Sequence, residues 1–505
     1  MFQGVYKIVD RNCETRPKRM KQFLTTLFTL ILFVSTTCGQ TNKENDTIQQ
    51  ITKYLSELEK VGFNGSVLVE LNGKKVISEG YGFSDKERQL KNSSLTIFDI
   101  GSITKQFTAA AILKLEMQGK LSTDDKLSKF FDNIPKDKEI TTIHDLLRHQ
   151  SGLISNVGKD YEKISKEEFL YKVLSSKLRF EVGTSFSYSN IGYSLLALII
   201  EKVSGETYEA YLYENLWKPA EMEITGYSRP EFDSDLIAVG YHRDDRIWGK
   251  PTDKEWDKTA PYWHLLGNGG ILSTTEDLYK WHKALTGDHI LSNEAKSKLY
   301  HPKIRFEEDY SAIYAYGWDV SETDRNTTRV WHNGSNNILY SDFLRFIDEG
   351  TTLIMLSNKS HPNFDELNLE ISQIIFNTTY IPIIPVADNE INRNFTNYVI
   401  ETIQEFGLEK AKEGYQNKAN NQSLLEFMMR SEGLNNLYNS KPDIAMQIFQ
   451  MNVFVHPNVA KALQALGEGY METGNKELAL NFFNKSLLLN PDNPFANNMI
   501  KRLKE

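Results

Sequence analysis

The chain has 505 residues, of which 40% are hydrophobic and 25% charged, and its formal net charge is −9 from 58 basic and 67 acidic side chains. This composition is close to the globular average, so it argues against a disordered, collagen-like or multi-span membrane protein. An acidic chain without a long basic run also argues against a nucleic-acid partner. The length predicts two or three domains.

The first 39 residues have the order of an export signal. Lys21 precedes an apolar run at residues 23–34, and small residues follow as far as Gly39. The run is shorter than the roughly 20 residues that cross a bilayer. We expect residues 1–39 to be removed, with residues 1–19 as an upstream extension, and the mature protein to be periplasmic or secreted without an integral membrane domain. A retained anchor and a lipoprotein attached through Cys38 are the alternatives.

Both cysteines of the chain, Cys13 and Cys38, fall inside this leader. The mature protein would therefore have no disulfide, no cysteine nucleophile and no thiolate metal site. We expect it to need neither a metal nor another cofactor, and its stability to come from packing.

Strand patterns occur at both ends of the first 380 residues. Residues 66–71 and 75–79 flank Asn72-Gly73, a strong hairpin signal because both central residues of a type I′ turn need positive φ. A second pair of strands is predicted at residues 340–346 and 351–357, and the sequence between the two pairs is mostly helical.

This arrangement predicts an α+β domain over residues 46–380. One antiparallel sheet would be built from the two chain ends and flanked by helices, with an all-helical lobe inserted between them. A cleft between the lobes is the natural place for a site.

Residues 388–505 are helical and repetitive. Residues 460–493 have tetratricopeptide spacing, and a shift of 34 residues aligns several of their positions with earlier ones. The matched pairs are Gly433 with Gly467, Ala445 with Ala479, Phe449 with Phe483, and Pro457 with Pro491. We expect an all-α solenoid that resembles tetratricopeptide repeats and could bind a protein or peptide partner. An ordinary helical bundle is the alternative.

Most standard catalytic signatures are missing, including the Gly-x-Ser-x-Gly elbow, the His-Glu-x-x-His zinc helix and the Walker loop. Ser102 and Lys105 stand at i, i+3 where a helical stretch begins, so they would share one helix face. A lysine can take the proton of a serine hydroxyl only if its pKa is lowered by burial or by nearby positive charge. A serine at a helix start also meets free backbone NH groups.

Ser-x-x-Lys alone is a weak signal, and two further elements accompany it. Tyr188-Ser189-Asn190 lies in a loop before an apolar helix at residues 191–203, whereas the Tyr-x-Asn sequences at residues 213–215 and 415–417 lie in helical patterns that suggest packing. His332 precedes the second strand pair and is expected on or beside an edge strand. A single histidine is more often structural than catalytic.

Taken in order, these elements resemble the serine β-lactamases and penicillin-recognising peptidases, in particular the class C-like branch of esterases, D-aminopeptidases and β-lactamase-related hydrolases. The resemblance spans residues 51–377. Four further stretches support it: residues 142–153 (TIHDLLRHQSGL), 188–193 (YSNIGY), 267–274 (GNGGILST) and 316–318 (YGW).

The resemblance implies a β-lactamase/transpeptidase-like fold and a covalent mechanism. It assigns Ser102 as the acylated nucleophile, Lys105 as its activating partner, and Tyr188 as the phenolate or proton relay. Asn190 would bond to Lys105 or to the substrate amide.

It also implies an oxyanion hole formed by the backbone NH groups of Ser102 and Ser335. Residues 332–334, His-Asn-Gly, occupy the place of the family's Lys-Thr-Gly element, so His332 and Gly334 would line the site. Asn156 is expected to project into the site from the helical lobe.

Two departures from the family pattern bear on the substrate. A lysine in the Lys-Thr-Gly element is a fixed positive charge, whereas His332 would be largely neutral near pH 7, which weakens the capture of a substrate carboxylate. Ile338-Leu339-Tyr340 also replaces the glycine and aromatic residue that often follow the motif. These differences favour an esterase, amidase or peptidase acting on a small ester, amide or peptide.

Two other functions stay open at this point. The protein could be a D,D-peptidase or β-lactamase acting on cell-wall peptides or β-lactams. It could also be a binding module with an inactive pocket, which uses the repeat tail to bind a partner. The presence of every side chain that the mechanism requires argues against the second of these.

Overall fold

The computed structural model describes residues 44–254, 256, 261–302, 312–361, 364–419 and 421–504. The predicted leader and both cysteines lie outside these residues. The chain divides into two compact units between Lys53 and Tyr54, and the described part of the first unit, residues 44–53, is helical. Across the described ranges, no helix has both the length and the apolar character needed to cross a membrane.

The second unit begins with helix α1 (residues 54–60) and contains the strands that the sequence predicts, among others. The strands are β1 (Gly65–Leu71), β2 (Lys74–Tyr81), β3 (Phe83–Asp85), β4 (Leu90–Lys91), β5 (Phe98–Asp99), β6 (Gly240–Tyr241), β7 (Ile247–Gly249), β8 (Leu272–Ser273), β9 (Ala312–Tyr314), β10 (Asp319–Glu322), β11 (Thr328–Ser335), β12 (Tyr340–Phe346) and β13 (Thr351–Ser357).

Seven of these strands form one antiparallel sheet in the order β2-β1-β13-β12-β11-β10-β9. The β1–β2 hairpin turns at Asn72 and Gly73, whose φ angles of 51° and 76° are both positive, as its sequence predicts. β1 pairs with β13 from Gly65 opposite Ser357 onward, so the two chain ends meet in one sheet. The predicted fold class is confirmed.

The predicted position of His332 at the sheet edge is wrong. His332 lies on β11, which is covered on its outer side by β10 and then by β9. These two strands contain only four and three residues, so they give almost no alternation pattern from which to recognise them.

The helices between residues 104 and 376 form the inserted lobe and cover the sheet. They are α2 (Thr104–Met117), α3 (Ile143–Leu147), α4 (Lys166–Ser175), α5 (Asn190–Ser204), α6 (Tyr208–Leu212), α7 (Thr275–Thr286), α8 (Asn293–Tyr300) and α9 (Phe364–Phe376). Helix α2 is buried on almost every side, and Phe107 packs against Trp217 and Trp281 at ring distances of 5.8 and 5.0 Å. Helix α2 therefore lies at the centre of the hydrophobic core.

The C-terminal region is helical, as predicted. Its helices are α10 (Glu390–Phe406), α11 (Leu408–Lys418), α12 (Glu426–Tyr438), α13 (Pro442–Val455), α14 (Ala460–Glu472), α15 (Lys476–Leu489) and α16 (Pro494–Lys504). A Cβ atom at Gly433 would lie 2.3 Å from the ring of Phe449, and one at Gly467 would lie 3.1 Å from the ring of Phe483. Both glycines thus permit close approach of paired helices. The tetratricopeptide assignment stays a prediction.

The C-terminal region, from residue 388 onward, contacts the preceding α+β part through charged groups. Arg243 pairs with Asp388 at 2.7 Å, and Lys461 pairs with Glu366 at 2.8 Å. Arg329 donates from Nη2 to the carbonyl oxygen of Asp492 at 3.1 Å. A cleft of about 410 Å³ lies between these contacting regions.

The two helix-packing glycines allow a matched test of the tail. Alanine favours a helix over glycine by about 1 kcal/mol, whereas overpacking a core costs about 1–3 kcal/mol. Because the Phe449 ring must move, we expect the overpacking cost to exceed the helix gain, so that Gly433→Ala lowers the unfolding free energy of the full chain by up to about 2 kcal/mol. The unfolding free energy of Gly467→Ala should stay within about 1 kcal/mol of the wild-type value, because the Phe483 ring needs to move only slightly. Urea unfolding of both variants measures this, and an equal or higher stability of Gly433→Ala would contradict the packing.

Candidate active site

Ser102 lies in a short 3₁₀ turn, Gly101–Ile103, between β5 and α2. The turn is pressed against β11: a Cβ atom at Gly101 would lie 2.5 Å from the backbone nitrogen of Ser335. A Cβ atom at Gly334 would likewise lie 2.7 Å from the backbone nitrogen of Ser102. Any residue with a Cβ atom would clash at these two positions. Because the turn and β11 approach each other so closely here, the NH groups of Ser102 and Ser335 lie beside the same small gap.

The amine of Lys105 is fully buried in the first turn of α2. Its Nζ lies 3.0 Å from Ser102 Oγ, 2.8 Å from Asn190 Oδ1 and 2.8 Å from the carbonyl oxygen of Asn268. Burial lowers the pKa of Lys105 well below its usual range, and the negative charge of Asp160 opposes this shift only in part.

Tyr188 lies beside both of these groups. Lys105 Nζ is 4.8 Å from the centre of the Tyr188 ring, and Tyr188 lines the same pocket as Ser102 and Tyr314. Burial raises the pKa of the Tyr188 phenol above its usual range. Ser189, the next residue, caps helix α5 by accepting a hydrogen bond from the NH of Gly192, which fixes the chain at this point.

Two asparagines, Asn190 and Asn268, accept hydrogen bonds from the amine, and Asn156 supports the first of them. Asn190 is the first residue of α5, and its Nδ2 donates to Asn156 Oδ1 at 3.0 Å. Asn268 Nδ2 donates to Ser194 Oγ and to the carbonyl oxygen of His264, both at 2.9 Å. These bonds fix the two oxygens that accept from Lys105.

His332 lies on β11 on the opposite side of the site and is 2% exposed. Its Nε2 is 3.0 Å from the hydroxyl of Tyr314, and its Nδ1 is 2.5 Å from the carbonyl oxygen of Asn333. Burial lowers the pKa of His332 to about 3. The imidazole is therefore neutral at pH 7.

These groups surround one pocket of about 410 Å³. Ser102, Tyr188, His332, Gly334 and Ser335 line it directly. Lys105, Asn190 and Asn156 form the hydrogen-bonded row behind Ser102. The structure thus brings together all eight site residues that were named from the sequence.

Several neighbours of the site were not assigned a place in it from the sequence. They are His149, Asn268, Tyr314 and Asp319. His149 and Asn268 belong to the conspicuous stretches 142–153 and 267–274, and Tyr314 precedes the Tyr-Gly-Trp stretch by two residues. Asn268 could not have been found from its side chain, because its backbone carbonyl makes the contact with Lys105.

His149 is packed directly behind the phenol of Tyr188. Its ring lies 4.2 Å from the ring of Tyr188 and 4.5 Å from that of Tyr314. The backbone NH of Ser189 donates to His149 Nδ1 at 3.0 Å. His149 therefore fixes both the ring of Tyr188 and the chain that follows it.

The sequence similarity of the chain to known proteins agrees with this geometry. The family model described as Beta-lactamase matches residues 51–374. The putative penicillin-binding protein PbpX of Bacillus subtilis (strain 168) is 30% identical over 339 residues, which cover 66% of this chain and 80% of that protein. Penicillin-binding protein 4* of the same organism is 32% identical over 318 residues, which cover 60% of this chain and 69% of the relative.

Solved structures give the same result. The octameric penicillin-binding protein homologue from Pyrococcus abyssi is 30% identical, with a TM-score of 0.53 over 62% of this chain and 73% of that one. FmtA from Staphylococcus aureus is 22% identical, with a TM-score of 0.56 over 67% of this chain and 91% of its own, and shows the shared fold alone. Because the family model covers more than half of its residues, the chain belongs to the Beta-lactamase family.

Proposed function

We propose that the protein is a serine hydrolase that cleaves an ester or amide through an acyl-enzyme on Ser102. The observation that supports this most strongly is the 3.0 Å contact between Ser102 Oγ and the buried amine of Lys105. The family comprises serine hydrolases, which agrees with a nucleophilic serine at this place.

Lys105 would act as the base that activates Ser102. A neutral amine has two hydrogens and one lone pair, and Lys105 Nζ has three partners. The two hydrogens can be donated to Asn190 Oδ1 and the Asn268 carbonyl, which leaves the lone pair for the Ser102 hydroxyl. An ammonium would instead direct a third hydrogen at Ser102 and could not take its proton. The lowered pKa of Lys105 favours the neutral form.

Tyr188 would act as a proton relay and not as a phenolate. Because burial raises its pKa, the phenol keeps its proton at neutral pH. It can donate this proton to the leaving group and recover one, through a water, from Lys105, which would hold the proton taken from Ser102. The same route in reverse would serve the deacylation step.

The carbonyl oxygen of the substrate would bind between the backbone NH groups of Ser102 and Ser335. Donors fixed in this way stabilise the negative charge that develops on that oxygen in the transition state, and the loss of one such donor typically costs about a hundredfold or more in rate. Asn190 would hold Lys105 in place or bond to the substrate amide.

The replacement of a lysine by His332 favours an ester, amide or peptide substrate over a β-lactam. His332 carries no charge at pH 7, so it offers no cation to a substrate carboxylate. Relatives named as penicillin-binding proteins make a D,D-peptidase the second candidate. A panel of aryl esters, β-lactams and D-Ala-D-Ala peptides separates these activities.

We further propose that the chain is exported and that its C-terminal helices are tetratricopeptide-like repeats. The leader pattern in residues 1–39 supports export. The 34-residue periodicity and the close helix contacts at Gly433 and Gly467 support the repeats. Such repeats could hold a peptide or protein partner.

Single substitutions test the proton path. We expect Lys105→Ala and Tyr188→Phe each to lower kcat for an aryl ester by at least about a hundredfold, the low end for acid-base participants. Ser102→Ala should also lose labelling by a fluorophosphonate. Tyr213→Phe, at an exposed tyrosine of another Tyr-x-Asn sequence, serves as the control and should keep the wild-type rate. A near-normal rate in Lys105→Ala or Tyr188→Phe would remove the proposed path.

A pH profile tests the neutral amine. kcat/KM for an uncharged ester should rise with pH as Lys105 loses its proton, with a midpoint well below that of an ordinary lysine. Asn190→Asp places a carboxylate beside the amine, which stabilises the ammonium, raises the pKa of Lys105 and moves the rising limb to higher pH by about 1–3 units.

Asn156→Asp is the matched control for this profile, because Asn156 is exposed and contacts Asn190 but not Lys105. The rising limb of the Asn156→Asp profile should shift by less than that of Asn190→Asp. A profile of Asn190→Asp that coincides with the wild type, or moves to lower pH, would rule out Lys105 as the base.

A further inference from the structure

The catalytic pocket contains an acidic side chain that the mechanism does not use. Asp319, the first residue of β10, lines the pocket together with Ser102 and Tyr188 and is half-buried. Its carboxylate makes no hydrogen bond or ion pair with any residue in the described part of the chain. A carboxylate held in this way, close to a reacting serine, is in a position to contact a substrate.

The rest of the pocket wall is aromatic. Five rings line it, and they belong to Phe186, Tyr188, Tyr314, Tyr340 and Phe364. Aromatic faces attract cations, and a set of rings with an acidic group is the usual means of binding an organic ammonium ion. Tyr340 belongs to the segment that departs from the family pattern, so this wall is in part a property of this chain.

Among the described residues that line the pocket, Asp319 is the one carboxylate, and the lining also includes His332 and His361. Neither lysine nor arginine lines the pocket among the residues that the structure describes. His332 is neutral at pH 7, and the buried amine of Lys105 favours its neutral form. The negative charge of Asp319 is felt at the phenols of Tyr188 and Tyr314, whose pKa values it raises.

Arg329 does not neutralise Asp319. It donates to the carbonyl oxygen of Asp492 and lies over the ring of Trp331 at 4.4 Å, and it forms no ion pair with Asp319. Burial raises the pKa of Asp319 to about 7 despite the charge of Arg329. A bound cation would offset this cost of burial, so the carboxylate and a cationic ligand would stabilise each other.

We propose that the pocket selects acyl substrates that carry an organic cation next to the scissile carbonyl, with Asp319 and the surrounding rings as the binding site for that ammonium group. This inference rests on the proposed acyl transfer at Ser102. It names the substrate class as cationic acyl esters or amides, such as those with a free or alkylated amine at the α carbon.

Two isosteric esters test the proposal. The p-nitrophenyl esters of N,N,N-trimethylglycine and of 3,3-dimethylbutyric acid have the same shape but differ by one positive charge. We expect the ratio of kcat/KM for the cationic over the neutral ester to fall at least about tenfold in Asp319→Asn relative to the wild type, which corresponds to about 1.4 kcal/mol. The difference in intrinsic reactivity of the two esters cancels in this comparison.

Glu322→Gln is the matched control, since Glu322 is an exposed acid on the same strand and does not line the pocket. Its ratio should equal that of the wild type. An unchanged ratio in Asp319→Asn would overturn the proposal. An equal fall for both esters would also overturn it, because it would assign Asp319 to the tuning of Tyr188. Asp319→Ser replaces Asp319→Asn if the latter does not fold.

A binding measurement separates this inference from the proposed function. Titration calorimetry of Ser102→Ala with phenyltrimethylammonium should show binding that is weakened at least about tenfold in Ser102→Ala/Asp319→Asn. If the wild type hydrolyses neither ester, the proposed acyl transfer fails, and this titration still decides the role of Asp319. Equal affinity of the two variants would refute the cation site.

Discussion

The burial of one amine is the constraint on which the rest of the site depends. Lys105 lies in a helix that is packed on almost every side, and its Nζ is completely removed from solvent. An ammonium in such a place loses its hydration without gaining an ion pair at close range, so the neutral amine is favoured. The two oxygens that accept from it, on Asn190 and Asn268, match the two hydrogens of a neutral amine.

The fold supplies this constraint through the meeting of distant parts of the chain. The turn that carries Ser102 is pressed against β11, and the beginning of α5 brings Tyr188 and Asn190 from the helical lobe. His332, which lines the pocket beside Ser102, is neutral at pH 7. This charge distribution is the basis on which we propose an uncharged or cationic acyl group as the substrate, in preference to one with a carboxylate.

The sequence was informative where a residue type is tied to a conformation or a periodicity. Asn72-Gly73 required positive φ and located the first hairpin, and the four strands within residues 65–81 and 340–357 agreed with their patterns. The spacing of Ser102 and Lys105 indicated a shared helix face. The contact of Asn268 with Lys105 uses a backbone carbonyl, and β9 and β10 are too short to show a period, so neither left a signature. Asp319 lies on one of these short strands and was missed for the same reason.

The charge state of Lys105 is the most direct test of this account. NMR titration of protein with 15N-labelled lysine, with the Nζ resonance of Lys105 assigned by its loss in Lys105→Arg, measures the pKa of the amine itself. The account predicts a midpoint far below the ordinary lysine value of about 10.4. A midpoint at or above that value would show that the amine is an ammonium at neutral pH, and the proposed activation of Ser102 would be contradicted.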